Sequence, residues 1–291
     1  MNFILFNKCF LSVLFLVQFF LIGCSSSEKK DREEQADLLY SMGTNNLISK
    51  NYTLALSNLL QAYEILPNRS DINNNLGMAY YFKGEKEIAK KIILRALELD
   101  PKNSDARSNL ASFYMEEKKW TEAKKLYEIV LKDLTYNKLS LTYFNLGKIE
   151  LAQNNFDRAQ EYFVKSLKED ENSCASSYHL GLISFKKKDF SSAAKHFKQS
   201  YYGPCYNNEL PVYYHAITLE KMGDFESARL KFREIIERFP KSEYAQKSLK
   251  MIDLMEQNSA SSIPKEYSKN SSKEESASPN GKDLQLDPPE F

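Results

Sequence analysis

Residues 70–103 read SDINNNLGMAYYFKGEKEIAKKIILRALELDPKN, and the fold is decided there. Small and apolar residues (Leu76, Gly77, Tyr80, then Ala89, Ile93, Ala96) recur at helical spacing on both sides of Lys83-Gly84-Glu85, and Pro101 closes the run. The stretch reads as helix A, a turn in which Gly84 can take a positive φ, and helix B ended ahead of proline. The pattern returns with a period of 34 residues. Met42-Gly43, Ala55, Leu59, Ala62 and Pro67 precede it in register, and Leu110-Ala111, Ala123, Tyr127 and Val130 follow. Next come Leu146-Gly147, Ala159, Phe163 and Ser166, then Leu180-Gly181, Ala193, Phe197 and Ser200. Ala216, Ala228, Phe232, Ile235 and Pro240 mark the last unit.

Such a period belongs to a two-helix unit that cannot bury its apolar face alone and stacks on its neighbours. The pattern resembles the tetratricopeptide repeat (TPR). It predicts an all-α solenoid of six helix-turn-helix repeats at 36–69, 70–103, 104–137, 140–173, 174–207 and 209–242. Extra residues fall in loops, at Lys138-Leu139 and at Asn208. Segment 243–257, with Tyr244, Leu249, Ile252 and Met255 on one side, reads as a helix capping the last repeat.

Both ends lie outside the repeats. Lys8 precedes an apolar run at 9–22, short for a membrane span of about 20 residues. The run ends in Leu21-Ile22-Gly23-Cys24, which resembles the lipobox of bacterial lipoproteins. That resemblance implies a signal peptide at 1–23, lipidation of Cys24, and, with no Asp after it, transfer to the outer membrane facing the periplasm. The other readings are an uncleaved anchor or an ordinary signal peptide cut nearby. Residues 24–35 are then a lipidated tether. Segment 258–291, rich in Ser, Lys, Glu, Asn and Pro, is expected to be disordered because it has little apolar surface to bury.

Cutting after Gly23 removes one basic residue and leaves equal numbers of acidic and basic groups. That balance argues against nucleic acid or a charged membrane surface as main partner. Cys174 and Cys205 open helix A and follow helix B of the fifth repeat, ends that lie side by side in an antiparallel hairpin. A disulfide is expected between them in an oxidising compartment.

No catalytic motif appears: there is no GxSxG, HExxH, phosphate-binding glycine loop or CxxC pair. His179, His196 and His215 share no metal-ligand spacing and read as surface or groove residues. Neither enzyme activity, nor a metal, cofactor or small-molecule substrate is expected. Protein binding is the expected function, and the TPR resemblance places it on the concave face of the A helices. Asn75, Met78, Asn109 and Met115 fall there in the second and third repeats. Phe144, Asn145, Leu151, Tyr178, Leu182, Tyr213, Tyr214 and Ile217 fall there in the fourth to sixth. The expected groove has an apolar lining beside an amide ladder of Asn75, Asn109 and Asn145, suited to a docked peptide.

Beyond the generic repeat, the chain resembles the type IV pilus biogenesis lipoproteins, the pilotins of the PilF/PilW/Tgl type. The residues carrying this are Val130-Leu131-Lys132-Asp133, Tyr136, Tyr143-Phe144-Asn145-Leu146-Gly147 after a two-residue insertion, and Arg238-Phe239-Pro240-Lys241-Ser242 with Ala245-Gln246. No Pro follows Tyr136, and the tail is not a family feature. The resemblance implies a partner, the pilus secretin, whose arrival and assembly in the outer membrane the protein assists. The alternatives are an adaptor for cell-wall hydrolases or other envelope assembly, and a helper subunit of an enzyme or transporter.

Overall fold

The structure, a computed structural model, describes residues 29–261. The expected signal peptide at 1–23, the expected lipidation site Cys24 and residues 262–291 of the expected tail lie outside the described residues. Among the described residues the chain is helical, with one 3₁₀ turn and no strand. It is a TPR-type helical solenoid. Helix α1 (29–48) pairs with α2 (Tyr52–Ile65), α3 (Ser70–Phe82) with α4 (Lys86–Leu99), and α5 (Ser104–Glu116) with α6 (Trp120–Val130). Then α7 (Leu139–Ala152) pairs with α8 (Phe156–Glu169), α9 (Cys174–Lys186) with α10 (Phe190–Ser200), and α11 (Glu209–Lys221) with α12 (Phe225–Arg238). Helix α13 (Glu243–Ser261) packs on α12 and touches α11.

The chain divides into two compact units between Tyr136 and Asn137, next to the extra residues Lys138-Leu139. The first unit holds α1 to α6 and the second α7 to α13. Both ends are more helical than the sequence suggested. Residues 29–35 of the expected tether are already helical, and Lys29–Glu33 and Lys30–Glu34 pair there one turn apart. Helix α13 runs to Ser261, past the expected end of the cap at 257.

One packing device repeats in four of the six repeats, those with Gly43, Gly77, Gly147 and Gly181. A small residue on helix A faces a large one on helix B, as Gly77 faces Ile93 and Gly181 faces Phe197. A Cβ on Gly181 would sit 2.6 Å from Cδ1 of Phe197, closer than carbon atoms approach. The six large residues (Leu59, Ile93, Tyr127, Phe163, Phe197, Phe232) are completely buried, and so are the six alanines from Ala55 to Ala228. The spacing of small residues in the sequence is therefore the spacing of helix contacts in the core.

The A–B turns supply a second rule. Gly84 and Gly223 take φ of +90° and +83°. Lys50, Lys118, Asn154 and Lys188 hold the same place in the other repeats with φ between 56° and 61°. The left-handed residue that ends helix A is thus required by the turn and not by glycine. Sequence reading saw it only where glycine stood.

Candidate functional site

In the first unit, the polar side chains of the A helices bond to one another. Asn109 Nδ2 donates to Asn74 Oδ1 (2.8 Å), Asn74 Nδ2 to Asn75 Oδ1 (3.0 Å), and Asn75 Nδ2 to Thr44 Oγ1 (2.8 Å). Thr44 completes the chain by donating to the Tyr40 carbonyl (2.8 Å). Asn74 is buried, while Asn75 and Asn109 are half-buried beside half-buried Met78 and Met115. Arg69 bonds Asp71 (2.6 Å) and also pairs with Asp37. Burial works against ionising Asp71, but the Arg69 hydrogen bonds and charge outweigh it and hold the carboxyl below its usual range. The polar groups of this face are bonded to one another.

The second unit has rings at the repeat positions of Asn74, Asn75 and Asn109, whereas the first unit's A-helix rings Tyr81, Phe82 and Phe113 meet nearer the ends of α3 and α5. Phe144 on α7 lies 5.5 Å from His179 on α9, measured between ring centroids. The contacts continue from His179 to Tyr178 (5.6 Å), across to Tyr214 on α11 (6.1 Å), to Tyr213 (5.9 Å), and to Tyr244 on α13 (5.1 Å). Six rings on four helices form one continuous ridge. Phe163 and Phe197 of the core support it from below, stacked on His179 and Tyr214. Burial, helped by the nearby charge of Lys148, pushes the His179 imidazole down to about 4, so it is neutral at pH 7. Its Nδ1 is buried without a hydrogen-bond partner among the described residues. Burial raises the Tyr178 phenol, which stays protonated.

The structure sorts the residues expected in the groove. Phe144, Asn145, Tyr178 and Tyr214 are half-buried and keep exposed surface. Leu151, Leu182, Tyr213 and Ile217 are buried, at 6%, 0%, 7% and 4% exposure. These four are corrected from groove to core: Leu182 packs in one cluster with Phe197, and Tyr213 and Ile217 pack in another with Phe232. The expected ladder is corrected as well. Its first-unit amides bond each other and Thr44, through Asn74, and Asn145 belongs to the second unit.

The histidines also differ from expectation. His215 is buried, with Nδ1 2.8 Å from the Tyr201 hydroxyl. Burial and the charges of Lys231 and Lys198 push it down to about 4. Among the described residues no group of three or more His, Cys, Asp or Glu could hold a metal ion. Reading helix A position by position would have found Thr44 and Asn74. The part played by Tyr244, from a helix outside the repeats, had no signal in the period.

Cys174 and Cys205 form a disulfide, with Cα atoms 6.1 Å apart. Cys174 is the first residue of α9, and Cys205 ends the 3₁₀ turn (Gly203–Cys205) after α10. The bridge closes the α9–α10 hairpin, whose first helix carries Tyr178.

Tetratricopeptide-repeat family models match the chain at 70–103, 104–168, 144–207 and 212–242. The chain belongs to the tetratricopeptide-repeat proteins. Within that class it resembles the type IV pilus biogenesis proteins. The type IV pilus assembly protein PilF of Pseudomonas aeruginosa is 26% identical over 193 residues, 64% of this chain and 77% of that protein. The solved structure of P. aeruginosa PilF is 23% identical, with a TM-score of 0.67 over 75% of this chain and 97% of that one. The structure of PilW, described as a widely conserved type IV pilus biogenesis factor, is 17% identical. Its TM-score is 0.66 over 74% of this chain and 98% of that one. These two structures share the fold.

Proposed function

We propose that the protein is a lipid-anchored, periplasm-facing TPR scaffold that assists assembly and localisation of the type IV pilus secretin in the outer membrane. The similarity to PilF over most of the repeat region carries the pilus assignment. The ridge from Phe144 to Tyr244 supports the binding role. The partly exposed rings Phe144, Tyr178 and Tyr214, of which Tyr178 sits on the disulfide-closed hairpin, suit anchor side chains for a partner, because aromatic surface is desolvated at little entropic cost. No step of chemistry is required of the chain. Cys24 carries the lipid, and residues 25–28 join it to α1.

Three substitutions test the reading. Tyr178→Asp and Tyr214→Asp should abolish secretin multimers, scored on membranes without heat dissociation, while helicity by circular dichroism is retained. Normal multimers with either folded variant refute the secretin role. Cys24→Ser should abolish labelling by a palmitate analogue and release the protein from the outer-membrane fraction. Continued labelling removes the anchor from the reading.

A further inference from the structure

A helix face that later repeats bury is bare on α1. In the third repeat, Ala106, Leu110 and Phe113 of α5 form one buried cluster with Ala89, Ile93 and Ala96 of α4, the helix B before it. The 34-residue period puts Leu38, Met42 and Asn45 of α1 at the positions of Ala106, Leu110 and Phe113. No helix B precedes α1 among the described residues, and Leu38 and Met42 are 61% and 45% exposed. The leucines equivalent to Met42, at 76, 110, 146 and 180, are at most 4% exposed. Ile48 extends the apolar surface at the far end of α1 and is also exposed. The last repeat is finished differently. Helix α13 covers it and turns Gln246, Lys250 and Asp253 to solvent, beside exposed Leu249. A solenoid needs such a polar outer face at its ends to stay in solution, and α1 does not provide one.

We propose that the bare face of α1 rests on the lipid surface in which Cys24 is anchored, so that the membrane caps the first repeat. The inference rests on the lipidation of Cys24 in the reading above. Distance favours this occupant. Five peptide units separate Cys24 from Lys29 and reach at most about 18 Å. Met42 lies roughly 20 Å further along α1. A lipid on Cys24 therefore keeps the whole face within reach of the headgroups, at an effective concentration that makes a small contact sufficient. Size disfavours a second copy. Leu38, Met42 and Ile48 expose a few hundred Å² at most, against roughly 800 Å² per partner in a stable dimer. Composition disfavours a packed protein helix. Asn45 stands where Phe113 is buried in the third repeat, and its amide would lose water under a helix but keeps it among headgroups. Charge is not the attraction, because Lys29, Lys30 and Arg32 are matched by Asp31, Glu33 and Glu34. The contact is apolar and should not respond to salt.

The test uses the full-length chain, purified from membranes as the lipoprotein and reconstituted in phosphatidylethanolamine–phosphatidylglycerol vesicles. Mass spectrometry of its N-terminal peptide reads the lipid on Cys24. With that thiol acylated and Cys174 joined to Cys205, Leu38→Cys or Met42→Cys supplies a free thiol for a nitrobenzoxadiazole dye. Both dyes should emit to the blue of the same dye at Asp253→Cys on α13. Lipids carrying a nitroxide near the headgroup should quench them roughly three-fold more strongly, since an interfacial helix face lies at that depth. Added salt should change nothing. Leu38→Glu plus Ile48→Glu should remove most of the Met42→Cys signal with helicity by circular dichroism retained. Water-like emission at both positions in a lipidated chain overturns the proposal and leaves the anchor standing. A blue shift that nitroxide lipids do not quench, and that grows with protein density, assigns the face to a second copy and also overturns it. A chain without lipid on Cys24 removes the anchor and this proposal with it, and the mass alone reports that failure.

Discussion

The two units of this molecule share one packing rule and differ in chemistry at the fifth and sixth repeat positions of the A helices. In the first, Asn109, Asn74, Asn75 and Thr44 satisfy one another, and Arg69 bridges Asp37 and Asp71. In the second, the repeat positions of Asn74, Asn75 and Asn109 hold Phe144, Tyr178, His179, Tyr213 and Tyr214, whose polar atoms are few and whose rings touch in series. Directional hydrogen bonds make the first face specific in shape and already satisfied. Non-directional ring contacts leave the second able to accept new apolar surface. A repeat fold thus keeps its core constant and varies its face, and the variation here divides where the chain divides.

The largest test of that contrast is acid. All three histidines lie in the second unit. His179 and His215 are both held near 4 by burial, and His196 is lowered for the same first reason. A base whose folded pKa lies below its unfolded value binds more protons when unfolded. Stability therefore rises with pH between about 4 and 6.5 and is lost as pH falls through that window. From pH 7 to 4.5, His179 and His215 should each remove roughly 2 kcal/mol from the second unit. Trp120, the single tryptophan, lies on α6 of the first unit, so its emission reports that unit. Urea midpoints by circular dichroism should fall between pH 7 and 5 while the Trp120 midpoint holds. Equal shifts of the two signals break the comparison.

Next in size is the disulfide. Closing a loop of 31 residues contributes about 3–4 kcal/mol in the chain-entropy estimate. Cys174→Ser with Cys205→Ser should therefore make α9 and α10 the first helices to exchange amide hydrogen, with α3 and α4 unchanged. Uniform acceleration in both units would show instead that they unfold together.

How far the sequence carried is clearest from particular residues. Gly77, Gly181 and the buried alanines sit at contacts that admit nothing larger, so the period announced the core directly. The faces were harder to read because period alone does not separate groove from core. Leu182 and Ile217 share the groove register of half-buried Met78, yet they are buried. Ring-to-ring continuity depends on rotamers and helix crossing, which no spacing encodes. Tyr244 joins the ridge only because α13 folds against α11 and α12.

A smaller effect separates the units on the polar side. Asn74→Ala leaves Asn109 Nδ2 and Asn75 Oδ1 without their partner inside the first unit. Stranding such groups costs about 1–3 kcal/mol. The Trp120 midpoint should fall accordingly, and secretin multimers should persist if partner binding belongs to the second unit. Loss of multimers from a folded Asn74→Ala variant would move the docking face to the hydrogen-bonded side.

The smallest expected effect is a gain, and it should be the same in both units. Lys118 in the first and Lys188 in the second hold φ of 56° and 61° at equivalent turns, where Gly84 and Gly223 stand in other repeats. A Cβ in the left-handed region costs roughly 1–2 kcal/mol, which glycine avoids, while glycine's extra freedom in the unfolded chain returns part of it. Lys118→Gly and Lys188→Gly should each stabilise by about 0.5–1 kcal/mol, read from urea midpoints with unchanged slope. Equal gains would mean that turn geometry, like the small-to-large core contact, is common to both units, leaving the A-helix faces as the place where the units differ. A gain confined to Lys118 would instead show that the second unit's turns are coupled to its aromatic ridge.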